Sequence, residues 1–327
     1  MNLSTQNMTS SFYYTDFILF AFPGVTRFRP LLALPFSSIY TIILLGNSTV
    51  MTIIVLERNL HSPMYVLIWT LLAINVLYTT AITPKMILAL VGLNQISLSG
   101  CLMQMFIVYS NIMAESVVVL LMAIDRYLAI TWPLHYQEVI FKHLLAHSTV
   151  NMVVRICCAV FPLVIVAARL QYCKSNVIHH FHCESFVLIK LACDDHTMAP
   201  IIGLLIRTLI TAFDITIIFL SYLKIVYMAM KIAVGPARHK ALHTCATHLA
   251  VVVLMYSSGI LSVILYFPGL STSYTGQNIA SAVYFLTPAI VNPFIYGLRM
   301  MEIKTSLVRF WKNKKEDNAL QHIKDCH

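Results

Sequence analysis

Charge is what this chain lacks most. Only 11% of its 327 residues are Asp, Glu, Lys or Arg, while 59% are hydrophobic and the mean hydropathy is +0.79. Soluble domains carry about 25% charged residues, so a fold solvated by water on all sides is excluded. A nucleophile elbow and a phosphate-binding loop are also missing, and no enzyme constellation stands in their place. Internal repeats and interrupted helices, which mark many transporters, are absent as well. No cleavable signal peptide is expected, because the first apolar run starts near residue 31 and is too long for one.

What the chain does have is long apolar runs. About 20 such residues cover the roughly 30 Å hydrocarbon core of a bilayer. Seven runs qualify: about Leu31 to Leu56, Met64 to Val91, Gly100 to Pro133, Leu144 to Ala168, Ala199 to Met230, Leu242 to Phe267 and Asn278 to Leu298. The expectation is an all-α membrane protein, a seven-transmembrane helix bundle. Residues 1–30 would be an extracellular N-terminal segment, 31–298 the seven-transmembrane domain, and 299–327 a cytoplasmic amphipathic helix and tail. Ile303, Leu307, Phe310 and Trp311, interleaved with Lys304 and Arg309, give that helix a face suited to lie on the inner membrane surface. The third inner loop is expected at about Ile232 to Lys240, broken by Gly235-Pro236.

The net charge of +9 does not point to nucleic acid, because its placement follows the membrane. Fourteen Lys and Arg fall on one side, from Arg58, Arg126 and Lys142 to the tail lysines; five fall on the other, namely Arg27, Arg29, Arg169, Lys174 and Lys190. The positive-inside rule puts the C-terminus in the cytoplasm of a multi-pass plasma-membrane protein. Two sequons, at Asn2 and Asn7, fit glycosylation of an outer N-terminus. Four cysteines, Cys101, Cys173, Cys183 and Cys193, then lie on the oxidising side, where disulfides form. They permit three connectivities.

Met122-Ala123-Ile124-Asp125-Arg126-Tyr127-Leu128-Ala129-Ile130 and Pro133-Leu134-His135-Tyr136 close the third run. Leu60-His61-Ser62-Pro63-Met64-Tyr65, Pro84-Lys85-Met86, Ser221-Tyr222, Lys240-Ala241-Leu242-His243-Thr244-Cys245 and Asn292-Pro293-Phe294-Ile295-Tyr296 recur through the others. Together they resemble the odorant (olfactory) receptor family of rhodopsin-like, class A G-protein-coupled receptors. Ile124 and Thr131 depart from the family's usual aromatic and Cys. Asn75 stands where most members carry Asp, and Ile74-Asn75-Val76-Leu77 resembles the fish-type branch.

The resemblance implies a receptor that binds a small-molecule odorant from outside and activates a heterotrimeric G protein of the stimulatory, olfactory class. It implies no cofactor. Asp125, Arg126, Tyr127, Tyr222 and Tyr296 would form the G-protein switch, and the pairs Cys101 with Cys183 and Cys173 with Cys193 would tie down the outer loop. The nearer rival is a non-olfactory receptor of the same class for a lipid or peptide; a polytopic transporter is the more distant one.

Helix arithmetic at 1.5 Å per residue places Asn47, Asn75, Glu115 and Asn292 at similar mid-membrane depth. They form either a polar functional core around an ionisable Glu115 or hydrogen bonds that merely join helices. With one carboxylate, a sodium site there is doubtful. The ligand pocket is expected in the outer half, on the α-helical face Met105, Val108, Tyr109, Ile112 and Met113, with Tyr256, Ile260, Val263 and Phe267 on the sixth run. Its apolar, Met-rich character suits small hydrophobic molecules. Val108 lacks the Asp that amine receptors use there. Phe267 stands where an acid-sensing relative has Arg. Arg207, about 10 Å down the fifth run, admits three readings: snorkelling outward, pairing with Glu184, Asp194 or Asp195, or facing the pocket as counter-ion to an anionic odorant. His179-His180-Phe181-His182 is a weak metal motif, and no metal is expected.

Overall fold

A computed structural model describes residues 13–25, 27–131, 141–194, 198–231, 235–266 and 273–310. The apolar runs become helices α1 (Ala33–Leu56), α2 (Pro63–Leu90) and α3 (Leu98–Thr131). The fourth span is α4 (Phe141–Arg155), a π-turn over Ile156–Val160 and α5 (Phe161–Arg169). After the one-turn helix α6 (Ser185–Ile189) come α7 (Met198–Lys231), α8 (Pro236–Tyr266) and α9 (Tyr274–Arg299). Residues 301–310 form a last helix, α10. Six of the spans are long and apolar enough to cross a membrane; the described apolar stretch of α8, Cys245–Leu261, is shorter, although the helix has 31 residues.

Proline explains where several of these elements begin and bend. The break expected at Gly235-Pro236 is instead a helix start, because Pro fits the first helical position, where an N–H has no partner to lose. The third inner loop therefore ends before Pro236 rather than reaching Lys240. In the fourth span, Pro162 cannot donate to a carbonyl one turn back and its ring crowds that carbonyl. The turn before it is widened to π geometry. Pro293 likewise leaves the carbonyl of Ala289 without its helical donor, and the Asn47 amide supplies one at 2.9 Å. Gly46 permits this approach, since a Cβ there would stand 3.3 Å from the Pro293 ring.

α3 lies at the centre and packs on α2, α4, α5, α7 and α8, while α1 closes the bundle against α2 and α9. Leu205, Leu209, Phe213 and Phe219 of α7 are exposed, as are Leu34 and Leu45 of α1. Such apolar surface is stable only against lipid. α10 buries Ile303 and Ser306 and sets Leu307 against Gly297, and Arg309 reaches Glu57 at 3.7 Å. Trp311, Asn2, Asn7 and Phe267 lie outside the described residues.

The end of the bundle that holds the N-terminal segment, expected to face outward, carries a small sheet that helical periodicity does not announce. β1 (Asp16–Leu19) lies between β2 (Gln95–Ser97), antiparallel, and β3 (Val177–Ile178), parallel. Alternation in β1 turns Phe17 and Leu19 inward, and Phe17 meets Tyr172 edge to face at 5.3 Å. The chain then turns through Phe22, whose φ of 48° is unusual for a residue with a side chain. Its ring is held between Phe36 and Phe181, and its N–H donates to Asn278 Oδ1. Beneath the sheet Cys101 is bonded to Cys183, Cα to Cα 5.3 Å, and Cys173 to Cys193, 5.1 Å.

Closing the 82-residue ring of Cys101 and Cys183 stabilises by about 4 to 5 kcal/mol on the entropic account. Cys101→Ser or Cys183→Ser should therefore abolish surface delivery, read by antibody staining of intact cells. Non-reducing peptide mapping should recover Cys101 joined to Cys183; a peptide joining Cys101 to Cys173 or Cys193 would overturn the pairing.

Candidate functional site

Below the sheet, the bundle encloses two adjoining chambers of about 900 and 810 Å³, counted to their open sides, which share Ile112, Met113, Arg207 and Tyr284. The upper one is roofed by the loop residues His182, Glu184 and Ser185. The disulfide holds Cys183 against α3, and its N–H donates to Gln104 Oε1 at 2.9 Å. That delivers Glu184 over the cavity as N-cap of α6, with Oε2 accepting from the Val187 N–H at 3.1 Å. The Tyr109 hydroxyl lies 3.1 Å from both Glu184 Oε1 and Ser185 Oγ and accepts from the Ser185 N–H. Burial raises the Glu184 carboxyl above its ordinary value, opposed by the Val187 N–H, Tyr109 and, more weakly, Arg207.

The rings of His180 and His182 in the loop are buried, and that of His179 partly so. His180 touches Ser281 Oγ at 3.3 Å, and His182 meets the Phe285 ring edge to face at 5.1 Å. Burial pushes the His180 imidazole down to about 3 and also depresses His182 well below its ordinary value, so both are neutral at pH 7. Among the described residues no group of three or more His, Cys, Asp or Glu could hold a metal.

The expected pocket residues divide. Tyr109, Ile112 and Met113 line the cavity, as do Tyr256 and Ile260 in the lower chamber. Met105 and Val108 do not: both are fully buried in packing clusters, Met105 beside Cys101 and Ala89 under the sheet. At their height the helix face is covered by protein, so the stripe there is core. Val263 lies in α8, and its side chain is outside the described residues. Arg207 faces the cavity, its guanidinium 5.4 Å from the centre of the Tyr284 ring. The snorkelling reading is thereby replaced.

The polar core separates in the same manner. Asn75 Nδ2 donates to Asn47 Oδ1 at 3.3 Å, and Tyr78, whose hydroxyl is 3.4 Å from Asn75 Oδ1, reaches the Phe285 carbonyl at 3.0 Å. These bonds knit α1, α2 and α9. The Asn292 amide is buried and unpartnered among the described residues, and Glu115 belongs to the lower chamber instead.

Two further charges escaped the sequence reading. Arg155 of α4 forms a bidentate pair with Asp214 of α7, Nη1 to Oδ2 2.7 Å and Nη2 to Oδ1 2.6 Å, with Asn151 Oδ1 accepting from Nε at 3.1 Å and Ser116 Oγ from Nη1 at 3.1 Å. Each lies over 20 Å along its helix, at about 1.5 Å per residue from Phe141 and Met198. The available signal was the one cation of the fourth run and the one anion of the fifth.

At the inner end, Arg126 is ion-paired to the buried Asp125. Tyr222 and Tyr296 are buried beside α3, with the Tyr296 hydroxyl 4.0 Å from Met122 Sδ and its ring 5.7 Å from His248. Tyr127 lies under the Lys224 ammonium at 5.5 Å.

A seven-helix bundle with an outer cavity and an inner Asp-Arg pair agrees with what comparison shows. The family model described as olfactory receptor matches residues 36–314. The chain belongs to the olfactory receptor family. Human olfactory receptor 52K2 is 32% identical over 314 residues, 95% of this chain and 99% of the relative, and human olfactory receptor 52P1 is 33% identical over 298 residues, 91% and 93%. The receptor is thus a multi-span membrane protein for odorant ligands that signals through G proteins, and not an enzyme.

In the receptor's interior an ion pair is worth little over an apolar substitute, but removing one partner strands the other, at about 3 to 5 kcal/mol. Asp214→Asn or Arg155→Met alone should lower the Tm and the surface level sharply. The double variant Arg155→Met with Asp214→Leu should recover most of both. Wild-type thermal stability in the single variants would refute this role.

Proposed function

We propose that the two-chamber cavity is the odorant site, reached from the outer face, and that its occupancy is read at the inner end of α3 by a G protein of the stimulatory class. The observation that carries this reading is that one helix without a break holds both ends. Tyr109, Ile112 and Met113 line the cavity, and Arg126 follows Met113 by 13 residues, about 20 Å at 1.5 Å per residue. A ligand that shifts α3 against α7 therefore moves the ion pair as well. At rest Asp125 neutralises Arg126; released, the guanidinium can meet the G protein, giving a two-state element biased from both sides. Tyr222 and Tyr296 flank it within the bundle.

The placement of Lys and Arg supports an outer N-terminus and a cytoplasmic C-terminus in the plasma membrane. Mostly apolar walls of Ile112, Met113 and Leu163 suit a small molecule that enters by dispersion and desolvation.

Arg126→Ala should abolish agonist-evoked cyclic AMP while the protein remains countable at the cell surface. A normal cyclic AMP response at matched surface density would overturn the assignment of the switch.

A further inference from the structure

The lower chamber contains a carboxylate and a guanidinium that, among the described residues, make no close ion pair with each other or with a neighbour. Glu115, 5% exposed, and Arg207 both line it. Among the described residues Glu115 has no hydrogen-bond or ion-pair partner, while Arg207 lies against the Tyr284 ring and interacts more distantly with the Glu184 carboxyl of the roof. The Tyr256 hydroxyl, in the same chamber, is also buried without a partner. Elsewhere in the bundle buried charges are paired, as Arg155 and Asp214 are. An unpaired ion in a low-dielectric interior is strongly disfavoured and marks a place where something else completes the charge.

The two charges stand at different heights. Arg155 bonds Asp214 of α7 and Ser116 of α3 with one guanidinium, so those turns are level. Arg207 is seven residues nearer the outer end of α7, about 10 Å above them. Glu115 adjoins Ser116 and continues the stripe of Val108 and Ile112 inward, where a carboxylate replaces the one that Val108 lacks. Between the two charges the walls are Ile112, Met113, Met255 and Ile260.

We propose, resting on the reading of this cavity as the ligand site, that the receptor takes a bipolar ligand of the ω-amino carboxylate class. Its carboxylate is held by Arg207 under the roof, and its ammonium by Glu115 and the Tyr256 hydroxyl below. An ammonium has three donors, enough for a carboxylate and a phenol oxygen together. A monoacid of the same length leaves Glu115 unmatched, and an alkylamine leaves Arg207 unmatched. An extended chain advances about 1.2 Å per bond, so a spacer of about eight bonds or fewer spans the 10 Å.

The test is a cyclic AMP assay on cells expressing the full chain, with unbranched ω-amino carboxylates of graded length as probes beside the ω-hydroxy acid, monoacid and alkylamine of each length. Potency should pass through an optimum with length, and at that optimum the amino carboxylate should exceed the monoacid and the alkylamine by at least about tenfold, since a charged hydrogen bond contributes about that much. Glu115→Gln should erase the preference for amino over hydroxy acid, and Arg207→Gln the preference for amino carboxylate over alkylamine, both at matched surface density. Equal potency of amino carboxylate and monoacid in the wild type would overturn the proposal, and this comparison decides it even where a variant does not reach the surface. A receptor that answers apolar odorants but none of these probes also overturns it, and leaves the odorant reading standing. Silence toward every odorant, with the protein at the surface, would sink both.

Discussion

No water is available inside a bilayer to complete an unfinished hydrogen bond, and most of this structure answers that condition. Helices satisfy their own backbone, so the remaining problem lies with side chains and with the carbonyls that prolines leave open. Asn47 covers the carbonyl freed by Pro293, and in doing so fixes α1 to α9. Arg155 and Asp214 neutralise one another and fasten α4 to α7, with Ser116 bringing in α3. Where the need for a partner is met within the protein, polar groups act as joints. Among the described residues Glu115 and the Tyr256 hydroxyl have no such partner and line one chamber with Arg207, while Tyr222, His248 and Asn292 are buried without one elsewhere in the bundle.

Charge is not alone in organising the cavity. The disulfide at Cys101 places Glu184 above it, the short α6 is capped by that carboxylate, and Tyr109 reaches up from α3 to meet it. The roof is thus bonded to the helix that also carries Arg126. The roof and the Asp125–Arg126 ion pair share one rigid element, which is what the proposed coupling between a ligand and a G protein requires.

The helices were legible because hydropathy is a local property: each run of about 20 apolar residues must become a span, whatever its neighbours are. Contacts between distant segments were not. β1, β2 and β3 are four, three and two residues long, and nothing in Asp16–Leu19 names Gln95–Ser97 or Val177–Ile178 as partners. Arg155 and Asp214 were hidden for the same reason, since neither run names the other as its partner. Met105 and Val108 show a different limit. Periodicity located the inward face of α3 correctly, but whether that face meets a cavity or a neighbouring side chain depends on what the loop disulfide brings over it. Pro236 was read as a breaker because the residue type alone does not say on which side of a helix boundary it stands.

The outer sheet also imposes a sequence of events on biosynthesis. Its central strand, β1, leaves the ribosome first, yet its partners are encoded near residues 95 and 177, on the far side of two and four spans. At about 5 to 20 residues per second, β1 waits on the order of 10 s for β3. Throughout that interval Phe17 and Leu19 have nothing to cover them, and Cys101 has no Cys183. The roof can consequently be completed only after the fourth span, and a nascent chain held up after its third span carries an exposed apolar strand and a free thiol. Retention of unfinished molecules by folding machinery that binds such features follows from the order of the strands alone.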